Sequence, residues 1–281
     1  MVMTKPEMIM ANISCIQIKP ALADFETNVS RMEGIITNIM AERPGTDLIV
    51  FPELITSGYE CSRKQFISLS EKMDICSPSL SRISELCKNF NVSITYGLPE
   101  LGADGEYYNS AVLLGPNGDI LGSYRKIHLF DTEKLFFTSG SEIDIIDTSF
   151  GKVGLMICWD AAFPELSRAY ALQGAQLLIV VSNWESPYSD DWDLITRARA
   201  FDNTLYLVSA NRIGLDKTLN FFGHSNIISP VGKVIESLNE EVEGIIHAEL
   251  DLHLTQELRE GYYTFFKDRK PHLYTDLATK F

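Results

Sequence analysis

Short apolar runs, separated by stretches with helical periodicity, recur along most of the chain. Apolar residues at positions 80, 83, 86, 87 and 90 keep a period of about 3.6 behind the helix-start signal Ser77-Pro78-Ser79. A second helix is predicted over residues 28–40, after Asp24-Phe25-Glu26. The alternation of such helices with strands indicates an α/β fold. The runs that predict β-strands cover residues 13–18, 48–51, 92–97, 110–114, 120–124, 153–157, 177–181 and 206–210.

Turn-forming residues between some of these runs predict hairpins. Gly115-Pro116-Asn117-Gly118-Asp119 joins two strands, and Ser229-Pro230-Val231-Gly232 joins two more. Because hairpins pair strands antiparallel and helical crossovers pair them parallel, the sheets should be mixed. The chain runs through two comparable halves, one ending near residue 124 and the other beginning near 153, with no Gly/Ser-rich linker between them. We therefore expect one domain over residues 1–281, with a C-terminal tail over about residues 252–281.

Charge and hydropathy exclude several classes of partner. The 281 residues carry a formal net charge of -14 with few basic clusters, so binding to nucleic acid is electrostatically disfavoured. No uninterrupted apolar run reaches about 18 residues, which argues against a membrane partner or span. The first seven residues show no basic region followed by an apolar stretch, so we expect no signal peptide and a cytoplasmic location.

The cysteines and histidines give no sign of a disulfide framework or a metal site. The five cysteines are odd in number and contain no C-x-x-C pair, and the histidines lack metal-ligand spacing. Cys15 and Cys87 fall on apolar faces and are predicted to be core residues. Cys61 lies in a loop a few residues after Glu53 and could line the same pocket.

Three chemically distinctive residues lie at the ends of strand-like runs. Cys158 follows the run 153–157 and precedes a segment, 159–165, that predicts a turn into a helix. At such an elbow, free backbone N–H groups and the helix dipole favour the thiolate over the thiol. Glu53 follows the run 48–51, and Lys126 lies in an otherwise apolar stretch. A base, a cation and a nucleophile are thus each placed at a strand end.

Each of these residues also has an ordinary structural interpretation. A cysteine after an apolar strand is most often a buried filler, and a glutamate after Phe-Pro is often a solvated loop residue. A lysine among apolar residues usually extends its ammonium group to solvent. His128, near Lys126, suggests a cysteine–histidine pair, but we expect it to be a structural or pocket-lining residue. The joint occurrence of the three residues in matching motifs favours the catalytic interpretation.

Those motifs resemble the nitrilase superfamily of carbon-nitrogen hydrolases, whose catalytic glutamate, lysine and cysteine occur in this chain order. The resemblance covers roughly residues 13–250 and implies a four-layer α-β-β-α sandwich with mixed sheets and a homodimer or higher homo-oligomer. It also implies a second catalytic glutamate, Glu133, although residues 131–134 alone would be predicted as a solvated turn. The matching segments are Phe51-Pro52-Glu53, Arg125-Lys126-Ile127-His128-Leu129, Glu133, Phe137, Gly140, Cys158-Trp159-Asp160, Ser182-Asn183-Trp184, and Arg197-Ala198-Arg199-Ala200 leading to Asn211-Arg212.

Amide hydrolysis assigns a role to each candidate catalytic residue. Cys158 would attack the carbonyl carbon and form a thioester. Glu53, desolvated but close to Lys126, would take the thiol proton, pass it to the departing amine and then activate water. Lys126, together with the backbone N–H of Trp159, would stabilise the oxyanion. Neither a metal nor an organic cofactor is needed for these steps.

The predicted substrate is a small, linear, non-peptide amide or an N-carbamoyl amine. Within the family, Cys-Trp-Glu is typical of nitrilases and Cys-x-Asp of amidases, so Asp160 favours amides. Arg168 or Arg212 could bind a substrate carboxylate, although neither stands in a convincing motif. The residues expected to bind the substrate, mainly as aromatic walls of a narrow pocket, are Tyr59, Phe137, Trp159, Asn183 and Trp184.

Two further functions stay open from the sequence, besides nitrile hydrolysis by the same residues. One is a non-catalytic binding module, against which the intact Glu53, Lys126 and Cys158 set argues. The other is a redox sensor that uses Cys158, for which Cys61 is the candidate resolving thiol. The aromatic segment 261–266 would pack either onto the domain or onto a second subunit.

Overall fold

The computed structural model describes residues 10–278, so the first seven residues, on which the targeting prediction depends, lie outside the described part. Within residues 10–278 the chain forms fourteen β-strands and seven α-helices. No helix in this range is both long and apolar enough to cross a bilayer.

The first half of the chain builds most of one six-stranded sheet. The helix after the first strand begins behind Asp24, whose side chain accepts a hydrogen bond from the backbone N–H of Thr27 at 3.1 Å. The elements, in chain order, are β1 (Met10–Gln17), α1 (Phe25–Glu42), β2 (Leu48–Val50), α2 (Arg63–Leu69), α3 (Pro78–Phe90), β3 (Ser93–Leu101), β4 (Tyr107–Leu114) and β5 (Ile120–Arg125). Strands β1, β2 and β3 pair in parallel, whereas β3, β4 and β5 form an antiparallel meander.

The second half builds another six-stranded sheet and then returns to the first. Strands β7, β8 and β9 pair in parallel, and β6, β12 and β13 add antiparallel edges. Strand β14 pairs antiparallel with β1, which closes the order β14-β1-β2-β3-β4-β5. The elements are β6 (Ile146–Thr148), β7 (Gly151–Ile157), α4 (Pro164–Leu172), β8 (Leu177–Ser182), α5 (Ser189–Asn203), β9 (Tyr206–Asn211), β10 (Ile213–Leu215), β11 (Asn220–Phe222), β12 (Ser225–Ile228), β13 (Val234–Leu238), β14 (Gly244–Asp251), α6 (Leu254–Glu260) and α7 (Phe265–Asp268).

The two sheets pack face to face, with helices on their outer sides. Ile13 and Val50 of the first sheet share a buried core with Leu155 of the second. Helices α1 and α3 cover the other side of the first sheet through a separate apolar cluster. Helices α4 and α5 pack against the second sheet, where the hydroxyl of Tyr170 donates to the carbonyl of Leu155 at 2.7 Å. The predicted four-layer sandwich with mixed sheets is confirmed.

Three of the four aromatic side chains in the segment 261–266 pack onto the domain. The rings of Tyr263 and Phe265 contact Phe201 of α5, with centroids 6.0 and 5.5 Å apart. Phe266 lies against the guanidinium of Arg168. Tyr262, in contrast, is 87% exposed. For these three rings, packing onto the domain is therefore the correct alternative. The homodimer or higher homo-oligomer stays a prediction.

Candidate active site

Glu53 lies in the loop after β2 and is fully buried where the two sheets meet. Its Oε1 accepts hydrogen bonds from Nζ of Lys126 at 2.9 Å and from Nδ2 of Asn109 at 2.6 Å. Its Oε2 accepts the backbone N–H of Asn183, from the loop after β8, at 2.7 Å. A Cβ at Gly97 would lie 2.6 Å from the Cα of Glu53, so the loop can approach β3 only because residue 97 is glycine. These contacts fix the carboxylate from both halves of the chain.

Lys126 follows β5 directly and is also fully buried, so its ammonium group does not reach solvent. Its Nζ donates to Oε1 of Glu53 and, at 2.7 Å, to Oε1 of Glu133. Burial alone would lower the pKa of Lys126, but the carboxylates of Glu133 and Glu53 raise it well above its ordinary value. The lysine therefore stays a fixed positive charge between two carboxylates.

Glu133 is buried, unlike a residue of a solvated turn. It lies in the 3₁₀ helix Asp131–Leu135, and besides Lys126 it accepts the hydroxyl of Tyr59 at 2.9 Å on Oε1 and the backbone N–H of Phe130 at 3.0 Å on Oε2. Glu133 thus joins the lysine to an aromatic side chain of the predicted pocket.

Cys158 follows β7 directly, as predicted, but its electrostatics differ from the prediction. Its backbone φ of 47° lies in the left-handed region, which turns the chain sharply at the strand end. The expected helix begins only at Pro164, after a single 3₁₀ turn over Cys158–Ala162. Burial raises the pKa of the Cys158 thiol far above its ordinary value, and Glu53 raises it further, whereas Lys126 lowers it. The expectation that the helix N-terminus favours the thiolate is therefore opposed by burial and by Glu53, whereas the predicted influence of Lys126 acts in the expected direction.

The thiol consequently needs a base within the site to become a nucleophile. Burial raises the pKa of Glu53 above its ordinary value, and Lys126 partly offsets that effect. A buried carboxylate with a raised pKa is a better proton acceptor than a solvated one. Glu53, Lys126 and Glu133 all shift the pKa of Cys158, and Lys126 and Glu133 also shift that of Glu53, so these groups form one electrostatic unit.

Asp160 connects the segments that carry the lysine and the cysteine. Its Oδ2 accepts the hydroxyl of Tyr124 at 2.8 Å and the backbone N–H of Ile157 at 3.1 Å. Its Oδ1 accepts the backbone N–H of His128 at 3.0 Å and contacts Nδ1 of that ring at 2.8 Å. The His128 ring stacks on Phe163 with centroids 3.7 Å apart. His128 is accordingly a structural residue, as predicted, and Asp160 is a positioning residue.

A cavity of about 300 Å³ opens onto Cys158. Four of the five predicted substrate-binding residues line it, and Phe137 does not. Phe137 packs against Phe66 at a centroid distance of 4.8 Å, in an apolar cluster behind Tyr59. Four of the lining residues, Phe130, Glu185, Tyr188 and Asp191, were not predicted, although Glu185 follows a buried strand closely, as the catalytic candidates do. The lining residues are Tyr59, Phe130, Cys158, Trp159, Asn183, Trp184, Glu185, Tyr188 and Asp191.

Asn183 lines this cavity with a side chain that is buried and unpaired. The residue is only 3% exposed, and neither Oδ1 nor Nδ2 has a hydrogen-bond partner among residues 10–278. An unpaired buried carboxamide is unfavourable unless a bound group satisfies it. Its donor and acceptor are those that a primary amide requires.

Three other predicted candidates lie away from the cavity. Arg212 is fully buried and forms a bidentate pair with Asp216 at 2.7 and 2.9 Å, so it cannot bind a substrate carboxylate there. Arg168 donates to the carbonyl of Asp202. Cys61 packs in the apolar cluster, donates to a backbone carbonyl, and has its pKa raised by burial to about 11. None of these three residues, which the sequence allowed as substrate-binding or pocket residues, lines the cavity. Cys15 and Cys87 are core residues, as predicted.

No group of three or more acidic, histidine or cysteine side chains suited to a metal ion occurs in the part of the chain that the structure describes. The charged side chains that line the cavity are those of Glu185 and Asp191, whereas Glu53, Lys126 and Glu133 act on Cys158 from behind the wall.

Comparison with known proteins identifies relatives along almost the whole chain. The profile of the carbon-nitrogen hydrolase family matches residues 12–260. A probable nitrilase of Schizosaccharomyces pombe is 51% identical over 271 residues, covering 96% of this chain and 99% of that protein. An N-carbamoylputrescine amidase of Solanum tuberosum is 31% identical and a 2-oxoglutaramate amidase of Bacillus subtilis 32% identical, covering 91% and 92% of this chain and 91% and 97% of theirs.

A solved structure shows the same architecture. The crystal structure of a carbon-nitrogen hydrolase from Helicobacter pylori has a TM-score of 0.89 and 31% identity, covering 96% of this chain and 99% of that one.

Proposed function

Because the chain belongs to the carbon-nitrogen hydrolases of the nitrilase superfamily, we propose that it hydrolyses small linear amides or N-carbamoyl amines through a thioester on Cys158. The observation that carries the proposal is the buried chain of contacts Glu53–Lys126–Glu133 beside the cysteine that opens onto the cavity. Burying two acids and one cation away from solvent has a desolvation penalty that opposes folding. Such groups with shifted pKa values are typical of functional sites.

In the first half of the reaction, the amide carbonyl carbon lies against Sγ of Cys158. Glu53 takes the thiol proton as sulfur attacks, since burial favours the protonated thiol over the thiolate. The negative charge that develops on the carbonyl oxygen is stabilised by Lys126 and by the backbone N–H of Trp159. The carbon–nitrogen bond then breaks as Glu53 returns its proton to the departing nitrogen, which leaves a thioester and ammonia or an amine.

In the second half, water attacks the thioester carbon. Glu53, again ionised, takes a proton from that water, and the thiol of Cys158 leaves with the proton that Glu53 returns. The hydrogen bonds from Asn109 and the backbone of Asn183 hold the carboxylate in place through both halves. Glu133 acts through Lys126, which it positions at 2.7 Å.

The size and lining of the cavity support a small substrate. A cavity of about 300 Å³ is at the lower end of the range for ligand pockets. Asn183 offers a donor and an acceptor beside Cys158, which suits a primary amide or a carbamoyl group. The relatives are named for different substrates: a nitrile, an amide and a carbamoyl compound. Their names therefore do not decide the substrate, which has to be inferred from this chain's own residues.

Lys126→Ala is expected to lower kcat by about 10²-fold or more, because it removes the cation that stabilises the oxyanion. It should also lower the melting temperature, since Glu53 and Glu133 would lose their shared buried partner. Lys126→Arg should recover little activity, because the planar guanidinium does not fit a fully buried ammonium site. Steady-state kinetics and thermal unfolding measure the two effects separately.

The matched control is Lys152→Ala, which removes an exposed lysine of β7 that pairs with Asp147 of β6 and should change neither quantity. An arginine variant at position 126 with a near-normal rate would contradict a tightly placed ammonium.

The reaction itself is tested by ammonia release from hexanamide, N-carbamoylbutylamine and hexanenitrile at matched concentrations. We expect kcat/KM for the better of the first two to exceed that for the nitrile by about tenfold or more, since the site is built to protonate a departing nitrogen. A tenfold preference for the nitrile would overturn the amide assignment, and no turnover of any of the three would overturn hydrolysis of this substrate class.

A further inference from the structure

The wall of the cavity carries negative charge and no positive charge. Glu185 and Asp191 line it, and no lysine, arginine or histidine is among the described residues that do so. Lys126 lies behind this wall and is engaged by two carboxylates. No described residue that lines the cavity therefore compensates the negative charge of Glu185 and Asp191.

Glu185 is half-buried and has no hydrogen-bond or ion-pair partner for its carboxylate among residues 10–278. Burial raises its pKa above the ordinary value, and Asp131, Glu60 and Glu133 raise it further. Its electrostatic neighbours are thus all acidic. A partly desolvated carboxylate in such surroundings is stabilised when a cation binds next to it.

The remaining walls also suit a cation. Trp159 and Trp184 lie with ring centroids 5.4 Å apart, and Phe130 contacts Trp159 at 4.9 Å. Aromatic faces attract an ammonium or guanidinium group through the ring quadrupole, and they also pack against a methylene chain. At the deep end of the same cavity, Asn183 presents its unpaired carboxamide beside Cys158.

We infer that the substrate of this site is a linear amide or N-carbamoyl amine whose far end carries a cationic group, bound by Glu185 with Asp191 at the mouth, while Asn183 binds the reacting amide. The inference rests on the proposed hydrolase function and names the substrate class. A carboxylate at the same position would meet two acids in a partly desolvated pocket, so anionic amides are rejected.

A simpler interpretation of each acid predicts a different result. Asp191 lies in the first turn of α5, where a negative charge stabilises a helix, and Glu185 could serve only solubility in a chain of net charge -14. Under that interpretation neither residue would affect the choice among substrates of different charge.

The test compares amides of equal chain length that differ in end-group charge. The cationic members are 4-aminobutanamide and 5-aminopentanamide, the neutral ones pentanamide and hexanamide, and the anionic ones glutaramate and adipamate. We expect kcat/KM to favour the better cationic amide over its neutral counterpart by about tenfold or more, with the anionic amides slowest. Glu185→Gln should bring the ratio of cationic to neutral kcat/KM close to one.

The matched control is Asp190→Asn, which removes an exposed negative charge next to Asp191 from a residue that does not line the cavity, and should leave the ratio unchanged. Equal kcat/KM for cationic and neutral amides, or a preference for the anionic ones, would overturn the inference. So would a Glu185→Gln variant that loses activity on all amides in the same proportion, because that is a structural effect.

Calorimetric binding of the same amides to Cys158→Ala protein separates this inference from the proposed function. Tighter binding of the cationic amides supports a cation-selective site even if the wild-type enzyme turns none of them over, which would overturn only the hydrolytic assignment. Equal binding of cationic and neutral amides would overturn the site.

Discussion

Cys158→Ala is expected to abolish amide hydrolysis, with a loss of about 10⁴-fold or more in kcat, while the fold is retained. The reason is that no other described cysteine lines the cavity, so no second nucleophile can form the acyl intermediate. Cys158→Ser should be almost as inactive, because a hydroxyl is a far weaker nucleophile near neutral pH. Ammonia release and intact-protein mass spectrometry of the acyl adduct measure the effect.

The control for this experiment is Cys76→Ala, which changes an exposed cysteine in a loop before α3 and should leave the rate as it is. If the alanine variant at position 158 kept more than about one per cent of wild-type activity, the thioester mechanism would have to be abandoned.

Glu53→Gln is expected to lower kcat by about 10³-fold or more, because one residue serves as base, acid and base again. The amide also cannot satisfy its surroundings, since Lys126, Asn109 and the backbone of Asn183 all donate to the carboxylate and glutamine has one acceptor oxygen. With an activated ester, whose leaving group needs no proton, acylation should still be slow because the thiol has lost its base, but the acyl-enzyme that forms should be long-lived and detectable by mass spectrometry.

Glu71→Gln provides the control, because Glu71 is another buried glutamate with a pKa raised by burial, but it bonds Ser79 and does not line the cavity. It should lower stability without changing the rate of deacylation. Rapid and complete deacylation by the position-53 variant would assign the activation of water to another group.

Most of the strands that could be predicted from sequence are largely buried, and the mostly half-exposed β5 is an exception. All six residues of β8 are buried, and the matching run of apolar letters is continuous. Strand β14 has no such run, since it mixes buried, half-exposed and exposed positions, and its conformation depends on pairing with β1. Strand β13 is an exposed edge that only the turn Ser229-Pro230-Val231-Gly232 predicts, and it pairs antiparallel with β12 as a hairpin requires.

The candidate catalytic residues could be predicted because each follows a buried strand, but their surroundings could not. Asn109 lies inside β4, where a polar residue in a buried strand is the only local sign of its contact with Glu53. The raised pKa of Cys158 follows from the depth at which β7 ends, and no spacing along the chain measures depth. Phe137 failed as a pocket residue for the same reason, because a motif does not tell which side of Tyr59 the ring occupies.

The hydrogen bond from the backbone of Asn183 to Glu53 joins loops that follow strands of different sheets. A displacement of one sheet relative to the other by about an ångström would break this bond and leave every strand pairing intact. Because reacting groups tolerate little misplacement, the same displacement would also lower the rate. Turnover is therefore a more sensitive gauge of sheet-to-sheet alignment than any measure of secondary structure. Selection for a high rate in this enzyme is, for that reason, also selection for a rigid interface between its two sheets.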